Sequence, residues 1–115
     1  MSQESAFLMT LLLECCVSLI FKCSKWGKVI PLRLLLLATL CASCLTHPFA
    51  WSLNEYLKPI LSGWGSVAVI EVCVIGAEGL IYRSLLSLPM VHSLILSFFS
   101  NLISFWCGLW PSWAP

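Results

Sequence analysis

Apolar residues gather in four long runs, and most of the prolines and just over half of the charges fall outside them. The runs cover residues 6–21, 30–46, 66–86 and 91–110. A helix needs about 20 mostly apolar residues to cross a bilayer, with roughly 17 as a lower limit. Each run therefore predicts a transmembrane helix, the first a short one. Pro31 stands in the first turn of helix 2, where a missing N–H costs little. Pro48 beyond helix 2 and Pro89 between helices 3 and 4 mark boundaries. The short link Ser87-Leu88-Pro89-Met90 makes helices 3 and 4 antiparallel neighbours.

The connection between helices 2 and 3 has another pattern. Phe49, Trp51, Leu53, Tyr56, Leu57 and Ile60 are interleaved with Ser52, Asn54, Glu55 and Lys58. That mixture predicts an interfacial or re-entrant amphipathic segment over 49–62, with Trp51, Tyr56 and Trp64 at headgroup depth. The expected fold is all-α: one membrane domain over 1–115, a bundle of four transmembrane helices with this segment between helices 2 and 3.

Polar residues inside the runs recur at helical spacing. Ser93, Ser97, Ser100, Ser104 and Cys107 form a 4-3-4-3 stripe on helix 4, with Asn101 and Gly108 beside it. Helix 3 offers Ala68, Gly76, Ala77 and Gly79, so the two helices are expected to approach closely and hydrogen-bond. Ser93, Ser97, Ser100, Gly76, Gly79 and Gly108 are read as packing positions. Thr10, Glu14 and Ser18 on helix 1, and Thr39, Ser43 and Thr46 on helix 2, give those helices inward faces too.

Three glutamates, Glu14, Glu71 and Glu78, lie within the runs. An ionised residue at mid-membrane costs about 2.5–3.5 kcal/mol on insertion scales, and by default it suggests function. Glu71 and Glu78 are two turns apart and share a face of helix 3 with Ala68, Ile75 and Tyr82. Serines alone would hold the bundle at lower cost, so packing is expected of the serine stripe and function of the two carboxylates. Asn101 sits at a depth to meet either of them.

Composition supports lipid as the solvent. Of 115 residues, 60% are hydrophobic and 10% charged, against about 45–50% and 25% in a soluble domain. Mean hydropathy is +0.98. A net charge of +1 leaves no electrostatic footprint for nucleic acid, which is not expected as a partner. Placement matters more: Lys22, Lys25, Lys28 and Arg33 surround the first loop, and Arg83 ends helix 3. The positive-inside rule puts that loop in the cytoplasm and both termini outside. Lys58 is then the single outer cation, and Trp106, Trp110 and Trp113 form an outer aromatic belt. Glu4, Glu14 and the lack of a small-x-small site argue for a retained first helix rather than a signal peptide.

Other constellations are weaker. Cys41 and Cys44 have the C-x-x-C spacing of thiol–disulfide chemistry, and the vicinal Cys15-Cys16 pair resembles that of mercuric-ion transporters. Most cysteines lie in apolar runs, where they pack as small hydrophobes. His47 is either a polar cap at the interface or a proton donor at the mouth of the glutamate seam. His92 should lie at the opposite face, and Arg83 should snorkel to the headgroups rather than pair with Glu78. No hydrolase, phosphate-loop or dinucleotide pattern is present, so neither cofactor nor catalytic set is expected, and the sequence names no metal.

Thr46-His47-Pro48 followed by Trp51, then Glu71, Glu78 and Tyr82, then Asn101, Ser104 and Gly108, resemble a recurring pattern in small, uncharacterised bacterial inner-membrane proteins. The resemblance spans roughly 45–108. It implies an inner-membrane location and weight on those positions, and brings no activity.

The expected function is transport or channel-type, in a homo-oligomer or larger membrane complex within the lipid bilayer. Glu71 and Glu78 would bind a cation or proton, with Asn101, Ser104 and His47 completing the site. The alternatives are an accessory or scaffold subunit of a larger complex, and a thiol oxidoreductase using Cys41 and Cys44.

Overall fold

The computed structural model describes residues 2–113, with side chains through Cys107. It contains four helices: α1 (Gln3–Lys22), α2 (Leu32–Leu57), α3 (Gly63–Leu86) and α4 (Met90–Trp113). Each is long and apolar enough to cross a membrane. α1 packs on α2 and α4, and α3 packs on the same two, so the helices form a closed square of antiparallel neighbours. The molecule measures 44 × 30 × 20 Å; its thin dimension is that of two helices side by side.

Part of the interior is polar and much of the outer surface apolar, the reverse of a soluble protein. Leu12, Ile20, Leu37, Leu45, Val72, Leu80 and Phe99 face outward, while Glu14, Ser18, Thr39, Ser43, Glu78, Ser97 and Asn101 are buried. Small polar residues let the helices approach, and the outward leucines suit a lipid surround.

α1 starts earlier than its apolar run because Ser2 caps it, accepting from Ser5 N at 3.2 Å. At 20 residues it extends about 30 Å, enough to span the hydrocarbon core. Ser62 caps α3 in the same way, accepting from Gly65 N. α3 ends at Ser87 in the left-handed conformation (φ 53°), which turns the chain toward Pro89 and α4.

The largest difference from the sequence pattern is at Pro48. Helix 2 does not stop at Thr46; it runs through Pro48 to Leu57, and the segment expected over 49–62 is the last turns of α2 plus the turn 58–62. Proline removes one helical hydrogen bond. Ending the helix there would free several polar groups at once, a larger penalty in a bilayer. At 26 residues, about 39 Å, α2 exceeds the hydrocarbon thickness of about 30 Å, and its last turns hold the exposed Glu55–Lys58 pair at 2.8 Å.

At the other end, the loop 23–31 folds under the bundle. Trp26 stacks on His92 at 4.3 Å between centroids, tying the loop to the start of α4. Val17, Phe21, Ile30, Leu35, Leu86, Leu88 and Leu96 fill this half of the interior. The basic residues of the loop and Arg83 share this end; no ion pair links Arg83 to Glu78 among the described residues.

Candidate functional site

The other half of the interior holds an open polar cavity of about 280 Å³. It runs from the end where α2 and α4 finish down to Glu14, Ser43 and Glu78. Below that level Tyr82, Leu35 and Leu96 are fully buried and close the bundle. His47, Glu71, Glu78, Asn101 and Ser104 all line the cavity.

Glu78, 1% exposed, is the best-held of the carboxylates. Thr46 Oγ1 on α2 lies 2.7 Å from its Oε1, and Asn101 Nδ2 on α4 donates to its Oε2 at 2.6 Å. Ser97 Oγ lies 3.4 Å from Oε2 and donates to Ile75 O at 2.9 Å. One side chain of α3 thus joins three helices. Asn101 spends its second N–H on Ser97 O at 2.9 Å, and Ser104 Oγ donates to Asn101 O at 3.3 Å.

Glu14, equally buried, is hydrogen-bonded to Ser43 Oγ on α2. One turn deeper, Ser18 and Thr39 hydroxyls meet at 2.6 Å. Glu71 differs from both. It is half-buried at the cavity wall and makes no hydrogen bond to the described residues. The stripe it shares with Glu78 changes character along α3: Ala68 is exposed, Glu71 and Ile75 half-buried, Glu78 and Tyr82 buried. A seven-residue repeat on a 3.6-residue helix drifts by about 20° per two turns, which turns the upper end of the stripe toward the bundle's side.

His47 is held by Trp51, whose Nε1 donates to His47 Nε2 at 3.0 Å, with the Phe7 ring 5.0 Å away. An Nε2 that accepts leaves the proton of a neutral ring on Nδ1. His92, on its Trp26 stack, is at the far end of the bundle. The cysteines are all free: Cys41 and Cys15 are half-buried, and Cys44 and Cys16 point outward.

Glu14 is the functional residue that motif reading leaves without a role. A spacing signal does mark it: Glu14 and Glu78 each stand eight residues from the ends of α1 and α3 at the basic face, and because these two helices run parallel across the bundle, equal spacing brings the carboxyls to one depth. Ser43 and Thr46 acquire their partners only through the register of α2.

The packing positions divide. Ser93, Ser97 and Ser100 are fully buried, but Ser93 and Ser100 make no hydrogen bond to the described residues and act through their size. A Cβ at Gly79 would lie 2.7 Å from Leu94 Cδ2, whereas one at Gly76 would meet nothing within 4 Å. Gly76 is therefore not a point of helix contact. The Gly108 side of α4, and Trp110 and Trp113 of the belt, lie outside the described side chains. Gly79→Val should lower stability by about 2 kcal/mol by overpacking against α4, while Gly76→Ala should raise it by about 0.5 kcal/mol through helix propensity. Denaturant unfolding in mild micelles measures both.

Among the described residues, no three His, Cys or Glu side chains converge tightly enough to hold a metal ion. The arrangement instead presents three carboxyl groups, hydroxyls and an imidazole to one cavity. Set against known protein families, curated proteins and solved structures, the chain matches none of them, and its reading rests on this cavity.

Proposed function

We propose that this is a proton-exchanging membrane protein of the transport or channel type, in which Glu14 and Glu78 take up and release protons through the polar cavity. One observation carries the reading. A hydroxyl has a single proton, yet Thr46 Oγ1 lies 2.9 Å from Ala42 O and 2.7 Å from Glu78 Oε1. Ser43 Oγ lies 2.9 Å from Thr39 O and also bonds Glu14. Both contacts of each hydroxyl are made in full when the carboxyl carries a proton and donates it to the hydroxyl. The hydroxyls then serve their own helices, and the carboxyls are proton stores facing a cavity. The absence of a metal-holding cluster among the described residues favours protons over a multivalent cation.

The cavity is one-sided, since Tyr82, Leu35 and Leu96 seal the chain below it. A complete path then requires a second conformation or an assembly of several chains. The basic end supports a cytoplasmic position for the loop 23–31, with the cavity opening outward. The sole support for a bacterial inner membrane is the resemblance carried by Thr46-His47-Pro48, Trp51, Glu71, Glu78, Tyr82, Asn101, Ser104 and Gly108.

The test is proton flux into proteoliposomes loaded with a pH-sensitive dye. Glu14→Gln should reduce flux at least about tenfold, the scale of losing an acid–base group. Infrared spectra should show a carboxylic-acid band in the wild type that Glu14→Gln weakens, the remainder belonging to Glu78. Wild-type flux no greater than that of empty vesicles would sink the reading.

A further inference from the structure

A second hollow, about 300 Å³, lies on the outer side of the bundle between α3 and α4. Trp64, Ala68, Phe98, Leu102 and Phe105 line it, and Glu71 is its one acidic group. Val67, Glu71 and Phe105 line the polar cavity as well. Glu71 therefore stands in the wall between a polar space and an apolar groove on the outward, lipid-covered surface. It makes no hydrogen bond or ion pair to the described residues.

We infer that this groove binds a single-chain lipophilic ammonium compound drawn from the bilayer, with its cationic head on Glu71 and its alkyl chain along α4. Three features fit that chemistry and not a neutral lipid. A carboxylate without an internal partner demands a cation or a donor once it is removed from water. Trp64, Phe98 and Phe105 line the same groove, and aromatic rings attract alkylammonium groups. The volume is at the lower limit of small-molecule sites, which suits one chain rather than two. From Trp64 to Ile75 the groove follows α3 for about 16 Å, with Ile75 and Phe98 toward its deep end and Glu71 between, so head and tail each have a place. The inference stands on the groove and holds whether or not the cavity exchanges protons.

The test is saturable binding of tritiated dodecyltrimethylammonium to the protein in phosphatidylcholine nanodiscs. The expected result is one site per chain, weakened at least about tenfold by Glu71→Gln, the equivalent of a single charge contact. Dodecanol should compete poorly. Glu71→Gln should fold normally, as the carboxylate has no internal hydrogen bond to lose. Phe98→Ala, which leaves the charge in place, should also weaken binding. Uptake equal to that of empty nanodiscs, equal competition by dodecanol, or unchanged binding by Glu71→Gln would each overturn the inference. So would a stable dimer dissociated by Phe98→Ala, which would make a second copy the occupant. Proton flux from the same preparation separates the two proposals. Binding without flux retains the groove and overturns only the proton reading; flux without binding does the reverse.

Discussion

Glu78→Leu should lower the stability of the folded bundle by about 3 kcal/mol, the largest loss expected from any single change in the polar interior. Interhelical hydrogen bonds in membranes average only about 0.6 kcal/mol each, because separated helices find other partners. Three such contacts, from Thr46, Asn101 and Ser97, would account for roughly half of the loss. The remainder comes from two other sources. Leucine leaves one buried Asn101 N–H with only Ser97 Oγ, 3.5 Å away, as a poor acceptor, since Ser97 O takes the other. The separated helix of the wild type would also expose a carboxyl to lipid, and association relieves that penalty; the leucine variant has none to relieve. Glu78→Gln should cost about 1 kcal/mol, as the amide still accepts from one neighbour. Unfolding in bicelles, followed by near-ultraviolet circular dichroism, gives the ranking. Equal stability of Glu78→Leu and wild type would show that the network is not what joins α2, α3 and α4.

The same network marks how far the sequence can be read. Spacing alone puts Asn101 at a depth to meet Glu71 or Glu78, since all three belong to inward stripes on helices joined by a short turn, and leaves open which it meets. It also puts the basic loop, Arg83 and His92 at one end. The extent of α2 is not legible, because Pro48 reads as a boundary in water-based rules and is overridden where free backbone groups are more costly than one lost bond. The difference between Glu71 and Glu78 is equally hidden. They share a face by period, and only the accumulated drift of that face puts one in the centre and the other in a wall. Gly76 and Gly79 show the same limit: two similar glycines in one run, of which packing uses one. The cavity itself is a property of four registers at once, and no single run of residues records it.

Gly27→Ala should destabilise the protein by about 2–3 kcal/mol, although residue 27 lies in a loop and far from the cavity. A Cβ there would fall 2.1 Å from Phe21 O and 2.7 Å from Lys22 Cα, both main-chain atoms that cannot step aside as a side chain does. Space is the reason for glycine at this position, because its φ is not in the left-handed region. Phe21 O is also engaged, accepting from Ser24 N at 2.9 Å and from Ser24 Oγ at 2.6 Å. On the opposite side Lys22 Nζ donates to Gly27 O at 3.3 Å, to Lys28 O at 3.0 Å and to Ile30 O. The turn is thus clasped from both sides, and a methyl group can enter only by pulling it away from Lys22. Lys22→Met should reproduce part of the effect, about 1–2 kcal/mol, by leaving those carbonyls to water. Gly63→Ala is the control, with nothing within 4 Å of the added atom, and should be near neutral. Thermal unfolding of the three variants in one detergent decides the matter. If Gly27→Ala is as mild as Gly63→Ala, the loop is not clasped as the geometry requires, and the closed end of the bundle rests on its apolar side chains alone.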